Sequence, residues 1–193
     1  GMAEFLAETS LTAEQRTFVD MARASGQWLL ALVSDVLDFS KIDAEHVELA
    51  PRLFALRELL DEVTGVVADA AQRKAIDLWV EVEAAGPGLH SPFAEHEREC
   101  ALIGDAQRIR QIALNLVANA VKFTERGEVE VHASVVAEDD QARLTVRVRD
   151  TGPGIAPAQL QQVFKPFVQG GLSSPTRLVG TGLGLAIAQR LAR

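Results

Sequence analysis

The chain has 193 residues, of which 48% are apolar and 24% charged, the usage of a globular protein and not of a disordered one. Its 19 basic and 27 acidic residues give a formal net charge of −8, which argues against a general nucleic-acid binder but leaves room for a nucleotide site built from local donors. A lone cysteine, Cys100, excludes an internal disulfide; no apolar run approaches the ~20 residues of a membrane span, and no basic stretch opens the chain as in a secretory signal.

The length suits one mid-sized domain, or a short helical element attached to one domain. No internal repeat is visible. Residues 2–8 read as the tail of a helix, and Glu8-Thr9-Ser10 as a turn. Residues 12–40 read as one long helix, with Thr12 and Gln15 in a capping-box pattern. Phe18, Ala22, Leu29, Leu32, Val36 and Phe39 recur at helical spacing, widened by Met21, Val33 and Leu37. Two helical pieces alone leave that stripe uncovered, so a partner helix or subunit is expected.

Pro51 marks a change of organisation. Residues 56–74 form a second amphipathic helix. Residues 75–83 alternate as a strand, with Ile76, Leu78, Val80 and Val82 on one face. Residues 84–99 read as a loop, and Asp105 caps a helix to about Phe123. Residues 128–136 and 142–149 alternate as two strands joined by a hairpin loop at Glu138-Asp139-Asp140-Gln141. A short helix is expected near 157–163, a loop over 168–181, and a last helix from Gly182 to the end.

Three segments carry chemistry. On helix 105–123, Arg108, Gln111, Asn115, Asn119 and Lys122 fall on one face, opposite Ile109, Ile112, Ala113, Leu116, Val117 and Ala120. Asparagine competes for backbone hydrogen bonds inside a helix. Two readings compete: a solvated face, or neutral oxygens plus a cation suited to Mg²⁺ and phosphate. Asp150-Thr-Gly152-Pro-Gly154 follows a strand directly. It is either a plain strand-to-helix turn or a fixed carboxylate for an exocyclic amine. Gly180-Thr181-Gly182-Leu183-Gly184 sits at a helix start, where backbone N–H groups favour phosphate. No strand precedes it, and no GK[ST] occurs, so a Rossmann site and a Walker A loop are disfavoured.

Together and in this order, the segments resemble those of sensor histidine kinases. Asn115-Leu-Val-Ala-Asn119-Ala-Val-Lys122-Phe-Thr124 resembles the N box, Asp150–Gly154 the G1 box, Phe164-Lys-Pro-Phe167 the F box and Gly180–Gly184 the G2 box. Leu37-Asp-Phe-Ser-Lys-Ile-Asp43 looks like the end of the second dimerisation helix of hybrid-type members.

The resemblance implies an α+β chain: a Bergerat-type two-layer α/β sandwich with a mixed sheet over 49–193, preceded by partial dimerisation helices over 1–48. It implies ATP and Mg²⁺ as cofactors. Asn119 would ligate Mg²⁺ with Asn115 supporting it, and Asn115 and Lys122 would be the catalytic positions, Lys122 facing the phosphates. Asp150 would bind the adenine amino group, with Gly152 and Gly154 shaping the turn. Residues 168–181 would be the ATP lid, Phe164 and Phe167 its base and Arg177 its cation. Gly180, Thr181, Gly182, Leu183 and Gly184 would line the phosphates. The implied partners are a second copy through helix 12–40 and a response-regulator receiver domain, with no nucleic acid and no membrane contact in this stretch. The implied location is cytoplasmic, whether or not the parent protein is membrane-anchored.

The family's acceptor histidine lies in a His-(Glu/Asp)-x-(Arg/Lys)-(Thr/Asn)-Pro-Leu segment. None of His46, His90, His96 or His132 has those flanks, and all four read as surface residues. The helix begun by the G2 box stops at Arg193, where the family adds further strands. The chain therefore reads as a fragment at both ends that is not expected to phosphorylate itself. Trp28 and Trp79 read as packing residues and Cys100 as a buried inert thiol. Two alternatives stay open: another ATPase of the same superfamily, and a nucleotide-binding dimerisation module without turnover.

Overall fold

Thr12 starts the long helix as a capping box must. Its Oγ1 accepts from the Gln15 N–H at 3.2 Å, and Gln15 Oε1 accepts from the Thr12 N–H at 3.0 Å. The computed structural model describes residues 2–43, 49–85, 100–139, 141–168 and 181–192. They fall into two units, 1–47 with 162–187 and 48–161 with 188–193.

In the first unit, α1 (Met2–Ala7) turns into α2 (Ala13–Asp43). The turn is closed by the Thr9 N–H and hydroxyl, both donating to Leu6 O. Phe18, Met21, Leu29, Val33, Val36 and Leu37 of α2 are exposed, so among the described residues most of the apolar stripe is uncovered.

The second unit holds β1 (Arg52–Ala55), α3 (Leu56–Arg73), β2 (Ile76–Ala85), β3 (Ala101–Gly104), α4 (Ala106–Phe123), β4 (Gly127–Glu138) and β5 (Gln141–Asp150). β2, β4 and β5 form a mixed sheet in the order β2-β4-β5. β2 and β4 are parallel, as a crossover through a helix allows, and β4 and β5 make an antiparallel hairpin. Val129, Val131, Ala133 and Val135 line one face of central β4 and are fully buried. Leu59, Leu60, Val63 and Val67 of α3 and Ala113, Val117 and Ala120 of α4 complete that core. This is the expected sandwich with helices on one side of a mixed sheet.

Four details differ from the sequence reading. β1 and β3 pair antiparallel, with Leu53 opposite Ile103, where no strand was expected. Four-residue strands are too short to display a period. Trp79 lies outside the core, on the face of β2 away from Leu78 and Val80, and is 42% exposed. The hairpin is tighter than a four-residue loop, because Glu138 and Gln141 already pair. Only a single 3₁₀ turn, Pro157–Gln159, forms where a helix over 157–163 was expected. Too few residues remain before Pro166 to offset helix nucleation. Cys100 is buried as expected, and burial pushes its thiol up.

α3 ends at Arg73 with Lys74 as its C-cap, and Ala75 follows with φ of 51°, a left-handed conformation where glycine is usual. A Cβ in that region is strained by about 1–2 kcal/mol, partly offset by the freer unfolded chain of a glycine. Ala75→Gly should therefore raise the unfolding free energy by about 0.5–1 kcal/mol. Urea denaturation followed by circular dichroism checks this, and an unchanged or lower midpoint contradicts it.

Candidate functional site

The site begins with α4. Asp105 caps it, accepting from the Arg108 N–H at 3.1 Å through Oδ1 and from the Ala50 N–H at 3.2 Å through Oδ2. Burial alone would raise the Asp105 carboxyl, but these backbone donors and Arg108 outweigh it and hold it below the usual range. The capped helix faces the core through Ala113, Val117, Ala120 and Val121. The polar stripe is half-buried and not fully solvated. At its start Arg108 Nη1 donates to Gln111 Oε1 at 3.3 Å. Asn115 and Asn119 follow one turn apart, both half-buried. Lys122 sits with its ammonium 4.6 Å from the Phe123 ring centroid, and burial lowers its pKa.

The Asp150 turn abuts the end of this helix. In the β4–β5 register Val131 faces Val148 and Val129 faces Asp150. Asp150 thus continues the row Leu144, Val146, Val148 on the helix-covered side of the sheet. Its Oδ1 accepts from the Gly152 N–H at 2.9 Å. A Cβ at Gly152 would stand 2.7 Å from that oxygen and 3.3 Å from Phe123 O. Only glycine lets the turn rest so closely on the last turn of α4. Gly154 has φ of 71°, a second position that favours glycine.

Thr151, to which no sequence motif assigns a role, fixes the turn from the other side. Its Oγ1 accepts from the Glu128 N–H at 3.0 Å, and its own N–H donates to Glu128 O at 3.2 Å. The contact spans 23 positions, so no local pattern signals it.

In the first unit the F-box and G2-box segments touch. The Phe167 N–H donates to Gly182 O at 3.0 Å. Gly182 has φ of 72°, and a Cβ there would stand 3.0 Å from the Phe167 carbonyl carbon. The Leu183 N–H donates to Thr181 Oγ1 at 3.2 Å, and α5 (Gly184–Leu191) begins one residue later. Leu183 is fully buried, whereas Phe164 and Phe167 are exposed, Phe167 with φ of 63°. Arg177, Gly180 and all of 169–180 lie outside the described residues, as do His46, His90, His96 and the Trp28 side chain. His132 is on β4, its Nε2 3.4 Å from Glu83 Oε2.

Among the described residues no cluster of three or more His, Cys, Asp or Glu could hold a metal. The available donors are amide oxygens at Asn115 and Asn119. Such neutral, sparse oxygens suit Mg²⁺ that arrives with phosphates and keeps waters, not a dedicated carboxylate cage. Among the described residues no helix is long and apolar enough to cross a membrane.

Comparison with known proteins agrees with this arrangement. Residues 104–193 match the family model described as histidine kinase-, DNA gyrase B-, and HSP90-like ATPase. Residues 1–45, which contain no histidine, match the His Kinase A (phospho-acceptor) domain. The sensor histidine kinase RcsC of Escherichia coli is 38% identical over 167 residues, covering 86% of this chain and 16% of RcsC. The sensory/regulatory protein RpfC of Xanthomonas campestris is 37% identical over 193 residues, covering 99% of this chain and 25% of RpfC. The crystal structure of full-length ShkA in complex with AMPPNP is 39% identical with a TM-score of 0.73, covering 99% of this chain and 36% of that one. The chain thus spans a quarter or less of these curated relatives. By domain content, order and likeness, the chain belongs to the sensor histidine kinases.

Proposed function

We propose that this chain is the kinase core of a two-component sensor, with residues 1–48 as dimerisation helices and 49–193 as the ATP-binding domain. It binds ATP with Mg²⁺ and directs the γ-phosphate to a histidine of a dimerisation helix, for relay to a response-regulator aspartate. The observation that carries this is the Asp150–Gly152 turn, pinned by its own hydrogen bond and seated on the helix that bears Asn119 and Lys122.

Phosphoryl transfer asks the protein mainly for positioning and charge neutralisation. Asp150, with one oxygen held by Gly152, presents the other to the adenine amino group. Asn119, supported by Asn115, offers its oxygen to the metal. Mg²⁺, when bound, neutralises phosphate charge. Lys122 supplies the catalytic cation. Gly182 and Gly184 offer backbone donors to phosphate, with Gly180, Thr181 and Leu183 shaping that loop. Arg177 serves the lid, and Phe164 and Phe167 its base. The exposed stripe of α2 supports a homodimer, and the hybrid-type relatives support a receiver domain as the next partner. A cytoplasmic location follows from the use of ATP.

Asp150→Asn removes a charge-assisted hydrogen bond worth about 1.5–3 kcal/mol, so ATP affinity should fall roughly ten- to a hundredfold. Calorimetric titration checks it, and unchanged affinity sinks the assignment. Asn119→Ala should bring Mg²⁺-dependent ATP affinity down towards the metal-free value. A Mg²⁺ dependence that survives intact would return the stripe to a solvated face.

Lys122 gives a pH test without nucleotide. Burial lowers its pKa in the fold below the ordinary 10.5, so in that window the unfolded chain binds more protons. The desolvation penalty of the charged form is present at neutral pH and is relieved as pH rises towards 10.5. The stability of the native chain relative to Lys122→Met should therefore climb with pH. Urea midpoints from neutral pH to 10 measure the difference, and a flat difference means the ammonium is solvated.

A further inference from the structure

Lys74 belongs to none of the four motif segments, yet it holds the helix on which the recognition turn rests. It forms the C-cap of α3. Its Nζ donates to Val121 O at 2.7 Å, Lys122 O at 2.7 Å and Thr124 O at 2.9 Å. An ammonium can donate in three directions, and three backbone carbonyls of the described residues accept from this one. α4 ends at Phe123, so these carbonyls lie at the negative end of its dipole, where a helix lacks partners. Phe123 O, between the anchored positions, is the atom a Cβ at Gly152 would approach to 3.3 Å. The Gly152 N–H in turn holds Asp150 Oδ1 at 2.9 Å. A continuous set of contacts thus runs from α3 through Lys74 to the end of α4, to Gly152 and to Asp150.

We propose that Lys74 is a positioning residue for nucleotide recognition: by fixing the last turn of α4 it sets where the Asp150 carboxylate stands. The proposal rests on the reading of Asp150 as the adenine-binding carboxylate. It differs from a plain helix cap in what it predicts. A cap affects how much protein is folded, whereas a positioning residue affects which nucleotide the folded protein prefers.

Lys74→Met keeps the apolar stem and removes charge and donors, and Lys74→Arg keeps charge and donors. The whole 193-residue chain is titrated with AMPPNP and with its guanine counterpart, both with Mg²⁺, and exchange of the Gly152 amide is followed by NMR. In Lys74→Met we expect about a tenfold loss of AMPPNP affinity, a smaller adenine-over-guanine preference and faster Gly152 exchange, with Lys74→Arg recovering most of each. Should Lys74→Met not fold, Lys74→Gln, which keeps a neutral donor, must show the same losses in smaller measure. A folded Lys74→Met with a lower urea midpoint but unchanged affinity, preference and exchange overturns the proposal. Asp150→Asn runs beside it. If Asp150→Asn binds normally, the adenine reading fails, and the Lys74 proposal fails with it. If Asp150→Asn is weak and Lys74→Met is not, only the Lys74 proposal fails.

Discussion

The helix-covered face of the β2-β4-β5 sheet is the constraint on which the rest of residues 48–161 depends. Val129, Val131 and Val135 of the central strand are fully buried, and each such side chain contributes about 1.5–3 kcal/mol. A slip of one residue between β4 and β5 would turn the row Leu144, Val146, Val148 away from the helices. The same slip would carry Asp150 to the opposite face. The register that buries the valines is therefore the register that brings a carboxylate to the helical layer. Hydrophobic burial, which has no chemical specificity of its own, thereby sets the position of a polar, charged residue.

α4 serves two demands that conflict. One face packs Ala113, Val117 and Ala120 into the core, and small residues there let the helix lie close to the sheet. The other carries two asparagines, poor choices for a helix interior, and a lysine whose charge is partly desolvated. A helix selected for stability alone would have neither. The penalty is offset by tertiary burial, by Asp105 at one end and by an ion pair between Arg110 and Glu62 of α3 at 2.6 Å. That ion pair is exposed on both sides and so adds little by itself.

What the sequence made legible follows from contact range. The capping box at Thr12 and Gln15, the cap at Asp105, the alternating strands and the turn glycines are all set within a few positions. Each was readable, and the order of the four motif segments named the family. Unreadable features join distant positions. Leu53 meets Ile103 across fifty residues, in strands too short for a period, and Lys74 meets carbonyls 47 to 50 positions on. Trp79 differs for another reason: its bulk in a strand suggests packing, whereas alternation with Leu78 and Val80 puts it on the outer face. There the pattern was the better guide than residue type.

The two ends of α4 are held by opposite charges, each matched to the dipole of the helix. Asp105 stands at the positive N-terminal end and accepts from two backbone amides. Lys74 stands at the negative C-terminal end and donates to three carbonyls. Neither charge belongs to the helix it serves, and each ties α4 to another segment: Asp105 to the chain at Ala50, Lys74 to the end of α3. The helix is thereby fixed along its axis as well as by its buried face. Side-chain packing alone resists rotation better than sliding, because apolar contacts are non-directional. Hydrogen bonds to defined carbonyls resist both. For a helix that carries two asparagine oxygens and a lysine one turn apart from one another, axial position is what sets those three polar side chains relative to the Asp150 turn, as the proposed nucleotide site requires.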